Sequence, residues 1–191
     1  MSNGNENGNR TAVLEIQPVK KTNPFGVRRW ILVIFLTLPF YALDQLTKRW
    51  IVANFDLDST TLAVIPGWFN IVYVANTGAA FGSFKNSNSF FITISAVTLL
   101  ALIYFNLRGV FKDRWSQAGA SLLAAGILGN LTDRFLYRHV VDFLDFDLHV
   151  RFANPWPSFN VADSCICVAV GLFLLGSVFE EKRKNKSCPQ T

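Results

Sequence analysis

Apolar runs limit what this chain can become. Phe90 to Leu107 is about 18 residues without one charged side chain, long enough for a helix to cross the hydrocarbon core of a bilayer. Trp30 to Leu43 is apolar at every position except Thr37 and Pro39. That run is short for a span, but helical continuation through Asp44 to Val52 supplies the missing length. Two further stretches have the same character, so four spans are predicted, at about 28–52, 90–107, 116–136 and 159–180. Pro39 predicts a kink in the first unless neighbouring helices absorb it. The third is rich in small residues (Ala118, Gly119, Ala120, Ser121, Ala124, Ala125, Gly126, Gly129), which predicts close packing against other helices.

Charge sets the orientation. The net charge of +5 does not point to nucleic acid, because the basic residues flank the spans. Lys20, Lys21, Arg28 and Arg29 precede the first, Arg108, Lys112 and Arg114 separate the second from the third, and Lys182, Arg183, Lys184 and Lys186 follow the last. Cytoplasmic flanks carry such an excess, so both termini are expected inside. Charged residues are only 16% of the chain, against roughly 25% in a soluble domain. Residues 1–25 are polar and read as a disordered cytoplasmic extension, without the apolar core of a signal peptide. Residues 26–181 form one membrane domain, and 182–191 a basic cytoplasmic tail.

Between the first two spans the pattern changes. Thr60 to Ile65, then Pro66-Gly67, then Phe69 to Val74 predicts two short strands joined by a turn, with Phe69, Ile71 and Tyr73 on one face. Trp68 and Tyr73 suit a membrane interface, so this small sheet is expected on the bilayer surface. The Gly- and Ala-containing run 76–83 permits close backbone approach, and an interfacial helix or loop is expected through Asn88. Residues 141–152 alternate in part and add a candidate strand. The predicted fold class is a membrane all-α core of four transmembrane helices with a small extracytoplasmic β-sheet and an interfacial helix or loop.

With this topology the unusual polar residues converge. Asp44 falls near the end of span one, Asn76 in the outer loop, and Asn130, Asp133 and Arg134 near the end of span three. Asp142 lies in the next outer loop, and Asn160 and Asp163 open span four. All share one depth, the outer membrane–water boundary, where polar groups beside hydrocarbon are costly and mark function. Two crowded carboxylates share a proton there. The ionised one draws a proton from water, and the other protonates or hydrogen-bonds a scissile carbonyl.

Plainer readings stand beside this one. Asp142 also fits a solvated or capping loop acid, and Asp163 a first-turn acid favoured by the helix dipole. Asp133 with Arg134 fits an interfacial ion pair, and Asp44 with Lys48 an i,i+4 pair. Asp145 and Asp147 face away from Asp142 on a strand and read as solvated. His139 and His149 read as loop surface residues. Cys165 and Cys167 point to different helix faces and do not pair. There is no Gly-x-Ser-x-Gly elbow. A metal-dependent hydrolase using Asp133, Asp142 and Asp163 is weaker, because no histidine has ligand spacing; no metal or cofactor is expected. The alternative from another class is a small channel or proton-coupled carrier using the acids as a relay. A relay places acids at mid-membrane, whereas spans two to four lack them there, and the chain has no internal repeat.

Five stretches, in order, resemble lipoprotein signal peptidase (signal peptidase II). They are Asp44-Gln45-x-x-Lys48, Asn76-Thr77-Gly78-Ala79-Ala80-Phe81, Gly129-Asn130-x-x-Asp133-Arg134, Val140-Val141-Asp142-Phe143 and Phe159-Asn160-x-Ala162-Asp163. The likeness spans about residues 30–180. It implies an aspartic peptidase of the bacterial inner membrane, with Asp142 and Asp163 as catalytic dyad. Asn76, Asn130, Arg134 and Asn160 would line the substrate site, with Asp44, Lys48, Gly78, Gly129 and Asp133 in support. The implied substrate is a prolipoprotein, cut just before a cysteine that carries a diacylglyceryl group; the other expected partner is membrane lipid, and a monomer is expected. Residues 147–155 depart from the usual family loop.

Overall fold

The computed structural model describes residues 27–78, 87–149 and 156–187. The N-terminal extension 1–25, most of the Gly/Ala run with the interfacial segment after it, the loop at 150–155 and the last four residues lie outside the described residues. Four helices and three strands follow in the order α1 (Val27–Asn54), β1 (Thr61–Ile65), β2 (Phe69–Asn76), α2 (Asn88–Leu107), α3 (Arg114–Leu136), β3 (Val140–Phe146) and α4 (Val161–Ser187). The helices match the expected spans to within a few residues, except that α4 runs on to Ser187, into the expected tail. Glu, Lys and Arg are good helix formers, so the last charged turns continue the helix. α1 is one helix through Pro39.

Local chemistry sets the ends. Asp113 caps α3, accepting from the backbone N–H groups of Trp115 and Ser116. α2 closes with Gly109 at φ 70, Gly109 N–H bonded to Asn106 O and Val110 N–H to Phe105 O. That double bond around a left-handed glycine is a Schellman stop. After α3, Arg138 takes φ 67 and turns the chain directly into β3.

α3 is the hub. It packs along α4 and α1 and more lightly on α2. Its small residues make this possible. A Cβ on Gly126 would run into the Ala162 carbonyl oxygen and the Ile166 side chain, and one on Gly129 into the Asp44 carboxylate. Side-chain hydroxyls add bonds across helices, Thr37 Oγ1 donating to Ser121 O at 2.9 Å and Tyr41 Oη pairing with Thr132 Oγ1 at 3.2 Å. The outer faces leave Phe35, Leu38, Leu46, Leu100 and Leu174 exposed, a surface that water would penalise and lipid would not. Among the described residues two helices are long and apolar enough to cross a membrane, Asn88–Leu107 and Val161–Lys182, each with mean hydropathy 2.1. The other two, α1 and α3, carry most of the buried polar residues, Asp142 on β3 and Asn160 ahead of α4 being the others.

The three strands form an antiparallel sheet in the order β1-β2-β3. The third strand, a candidate over 141–152, is formed over Val140–Phe146 and ends short of the expected bound. Tyr73 of β2 and Val141 and Phe143 of β3 bury against Ile51, so the sheet is seated on the end of α1. Both pairings contain an irregularity, between Ala63 and Ile65 and between Ile71 and Val74.

Candidate active site

The sheet, the ends of α1 and α3 and the start of α4 meet at one end of the bundle, and the polar residues meet with them. Lys48, 1% exposed, lies at the bottom. Its Nζ is 2.9 Å from Asp44 Oδ2 and 2.8 Å from Asp133 Oδ2, and it donates to Asn130 Oδ1 at 3.0 Å. An ammonium has three protons, and each finds an acceptor. A buried charge so paired is tolerable; one without partners is not. The two carboxylates are tied in further. Asp44 Oδ1 accepts from Ala162 N–H at 2.8 Å and Asp133 Oδ2 from Val141 N–H at 3.2 Å. Gln45 Nε2 reaches Asp44, Asp133 and the Gly129 carbonyl. This cluster therefore bolts α1, α3, α4 and β3 to one another.

Above it lie two other aspartates. Asp142, on β3, is 1% exposed. Its Oδ1 accepts from Asn160 Nδ2 at 2.7 Å and its Oδ2 from Asn76 Nδ2 at 2.9 Å. Asp163, in the first turn of α4, is half-buried. Its Oδ1 accepts from Asn130 Nδ2 at 2.8 Å and its Oδ2 from the Asn160 N–H at 3.3 Å, while its own N–H donates to Asn160 Oδ1 at 2.9 Å. The reciprocal bonds between Asn160 and Asp163 form a capping box at the start of α4. Asn160 thus touches both acids. Asn130 joins the two layers, since its Oδ1 faces Lys48 and Asn160 while its Nδ2 faces Asp163.

Burial pushes the Asp142 carboxyl up to about 7, with the Asp163 charge acting the same way. The hydrogen bonds from Asn76 and Asn160 and the charge of Lys48 pull it back. A buried acid beside a second acid holds its proton near neutral pH, whereas a solvated loop acid does not.

A cavity of about 400 Å³ opens over the two acids. Asn76, Gly78, Asn130, Arg134, Asp142 and Asp163 line its polar end, and Phe91, Ile127, Ile166 and Cys167 its apolar end between α2, α3 and α4. Arg134 is held over the Phe91 ring, 4.6 Å from its centroid, and donates from Nη2 to the Gly78 carbonyl at 3.1 Å. The cavity joins a hydrogen-bonding end that contains two acids to a hydrocarbon-like end, which suits a substrate of the same mixed character. Among the described residues no group of three or more His, Cys, Asp or Glu side chains is placed to hold a metal.

The structure brings together Asp44, Lys48, Asn76, Asn130, Asp133, Arg134, Asp142, Asn160 and Asp163. Six of the named positions line the cavity; Asn160 sits just behind it, and Asp44, Lys48 and Asp133 lie deeper, with Gly129 against Asp44. Two readings need correction. Asp145 is not simply solvated, because it accepts from Asn70 and Ser158. His139 is half-buried rather than a surface residue: its Nε2 is buried with no hydrogen-bond partner among the described residues, and burial pushes the ring below its ordinary value. Sequence reasoning also missed Phe91 beneath Arg134; an aromatic one turn into α2 was its only signal. Cys167, given no role, lines the apolar wall.

The profile of the family described as Signal peptidase (SPase) II matches residues 36–179. The chain belongs to the signal peptidase II family. A lipoprotein signal peptidase of Nostoc sp. is 44% identical over 138 residues, covering 72% of this chain and 84% of that one. One from Shewanella loihica is 38% identical over 161 residues, covering 82% and 90%. Among solved structures, a bacterial membrane enzyme obtained by the in meso method superposes with a TM-score of 0.71 at 31% identity, covering 87% of this chain and 95% of that one. A second such enzyme gives 0.66 at 34% identity, covering 80% and 93%. Signal peptidase II membership makes this chain a membrane peptidase, which sets aside the channel or carrier reading.

Proposed function

We propose that this chain removes the signal peptide of lipoprotein precursors as an aspartic peptidase, cutting just before the diacylglyceryl-modified cysteine. Asp142 and Asp163 are the catalytic dyad. The observation that carries this is the shared cradle of the two acids. Both are held by Asn160 at the mouth of a single cavity, one buried and one half-open.

The chemistry follows from that asymmetry. Burial places the shared proton on Asp142, which hydrogen-bonds the scissile carbonyl oxygen and then protonates it. Asp163, nearer the open side, takes a proton from water as that water attacks the carbonyl carbon. On collapse of the tetrahedral intermediate the leaving amine receives a proton, and the dyad returns to its starting state. Asn76 and Asn130 fix the carboxylates in place, and Arg134, which lines the cavity, holds substrate carbonyls. Asp44, Lys48, Asp133, Gly78 and Gly129 support this arrangement. The apolar end of the cavity receives the hydrocarbon part of the substrate.

The topology reading has four spans with both termini cytoplasmic, in the bacterial inner membrane, as a monomer. It is supported by the clustering of the site and sheet at one end of the bundle, away from the basic residues Arg108, Lys112 and Arg114. The site then faces outward, where a lipid-anchored precursor presents its cleavage point.

The aspartic type is tested by cleaving a diacylglyceryl-modified precursor in ¹⁸O-water with hydroxylamine and a chelator present. Direct attack by water predicts one ¹⁸O in the new carboxylate, no hydroxamate, and undiminished rate. A hydroxamate product would reveal a covalent intermediate and overturn the dyad mechanism.

A further inference from the structure

Ser158, Phe159 and Asn160, just ahead of α4, run antiparallel to β3 and meet it through one backbone bridge at Phe159 flanked by side-chain hydrogen bonds. Asn160 Nδ2 reaches Asp142 and the Val141 carbonyl. Phe159 bridges Leu144, with Leu144 N–H bonded to Phe159 O at 2.8 Å and Phe159 N–H to Leu144 O at 3.0 Å. Ser158 Oγ donates to Asp145 Oδ1 at 3.3 Å. Asp145 Oδ2 in turn accepts from Asn70 Nδ2 at 3.1 Å, and Asn70 is its direct partner in the β2–β3 register.

The neighbouring rung is aromatic. Phe146 stacks on Phe69 at 4.6 Å and on Phe159 at 5.7 Å. Successive residues of a strand face opposite ways, so the polar ladder Asn70–Asp145–Ser158 and the aromatic ladder Phe69–Phe146–Phe159 lie on opposite faces of the sheet. Together they clasp the α4 lead-in from both sides. Sliding this lead-in moves Asn160 and Asp163 relative to Asp142, because Asn160 caps α4 and bonds to both acids.

We propose that Asp145 is a positioning residue for the reaction: by tying Ser158 to Asn70 it sets the register of the α4 lead-in, and through it the placement of Asp163 against Asp142. The proposal rests on the dyad reading above. Asp145 does not line the cavity, whereas its partner Ser158 does. What it supplies is two acceptor oxygens, one for each side of the rung. Asparagine can rebuild the rung, accepting from Ser158 and donating to Asn70 once the Asn70 amide is turned over.

The test compares full-length wild type, Asp145→Ala, Asp145→Asn, Ser158→Ala, the Asp145→Ala/Ser158→Ala double variant and Asp142→Asn on a diacylglyceryl-modified precursor. Misplacement of the dyad predicts that Asp145→Ala lowers kcat about 10- to 100-fold. KM should stay within about twofold, since the lost interaction acts on the chemical step. The upper midpoint of the pH–rate profile should rise, because a looser Asn160 donates less well to ionised Asp142. Asp145→Asn should retain most of the rate, and the double variant should be no worse than Asp145→Ala alone. Wild-type kcat and pH midpoint in folded Asp145→Ala would overturn the proposal, as would Asp145→Asn failing as badly as Asp145→Ala. Should Asp145→Ala not fold, Ser158→Ala decides: because Ser158 also lines the cavity, a lowered kcat with the same pH shift at an unchanged KM supports the rung, and an unchanged profile or a change in KM alone overturns it. Cleavage by Asp142→Asn would overturn the dyad itself, and the proposal with it. An inactive Asp142→Asn beside an unaffected Asp145→Ala overturns the proposal alone.

Discussion

Asn160 donates its side-chain amide to Asp142 at 2.7 Å while its side-chain oxygen accepts the N–H of Asp163 at 2.9 Å. One residue thereby sets the geometry between an acid on a strand and an acid on a helix. It also makes the two acids electrically aware of each other, since the charge of Asp163 helps raise Asp142.

That coupling has a pH signature. With Asp142 pushed up to about 7, the proton needed at the scissile carbonyl is lost as pH rises through that value. The rate on modified precursor should therefore fall on the alkaline side of a midpoint near neutrality. A rate that stayed flat from mildly acid to alkaline pH would contradict the assignment of the proton to Asp142.

The same shift acts on stability. The folded value of about 7 lies above the ordinary 3.8, so between those limits the folded chain binds more protons than the unfolded one. Stability contributed by protonated Asp142 is complete below about pH 4 and is lost as pH rises toward 7. Asp142→Asn removes this slope. It should melt higher than wild type at pH 8, by up to about 4 kcal/mol in free energy, and show little gain at pH 4. Thermal unfolding at the two pH values checks it; equal gains at both would mean that Asp142 carries no such linkage, and a larger gain at pH 4 would reverse its sign.

Lys48 predicts a large loss. Replacing it by Met leaves Asp44 and Asp133 buried without their shared cation. Removing one partner of a buried ion cluster costs about 3–5 kcal/mol. The melting temperature of Lys48→Met should drop sharply, and a melting curve that overlays wild type would show the cluster is not what holds α1 to α3.

The α3–α4 contact predicts a methyl-sized effect. Gly126→Ala puts a Cβ against Ile166 and the carbonyl oxygen of Ala162, the residue before Asp163, whereas Gly171→Ala on α4 meets nothing within 4 Å among the described residues. Gly126→Ala should cost about 1–3 kcal/mol and slow cleavage by moving Asp163. Gly171→Ala should be neutral or slightly stabilising. Equal melting and rates for the two would contradict close packing at Gly126.

Much of this site was readable before any coordinates. Basic flanks oriented the spans, and that alone carried Asp44, Asn76, Asn130, Asp133, Arg134, Asp142, Asn160 and Asp163 to one boundary. Turn residues and alternation found β1 and β2. What escaped depended on register. The Asp145 rung exists because Asn70 lies opposite it and the α4 lead-in lies on its other side, and neither pairing is encoded in local pattern. His139 looked like a loop residue because a polar ring next to Arg138 suggests solvent; the sharp turn at Arg138 instead tucks it toward Tyr73 and Tyr137. α4 continues to Ser187 beyond the span expected at about 159–180, because charge marks where an apolar run ends, not where a helix does.

The central claim is that Asp142 and Asp163 act as a pair on a lipid-modified precursor. Its most direct test is single-turnover cleavage of a diacylglyceryl-modified precursor by wild type, Asp142→Asn and Asp163→Asn, with folding checked by melting. Loss of acid–base function predicts a fall of roughly 10²–10⁴-fold for either variant, with neither less stable than wild type. Cleavage at the wild-type rate by either one would contradict it.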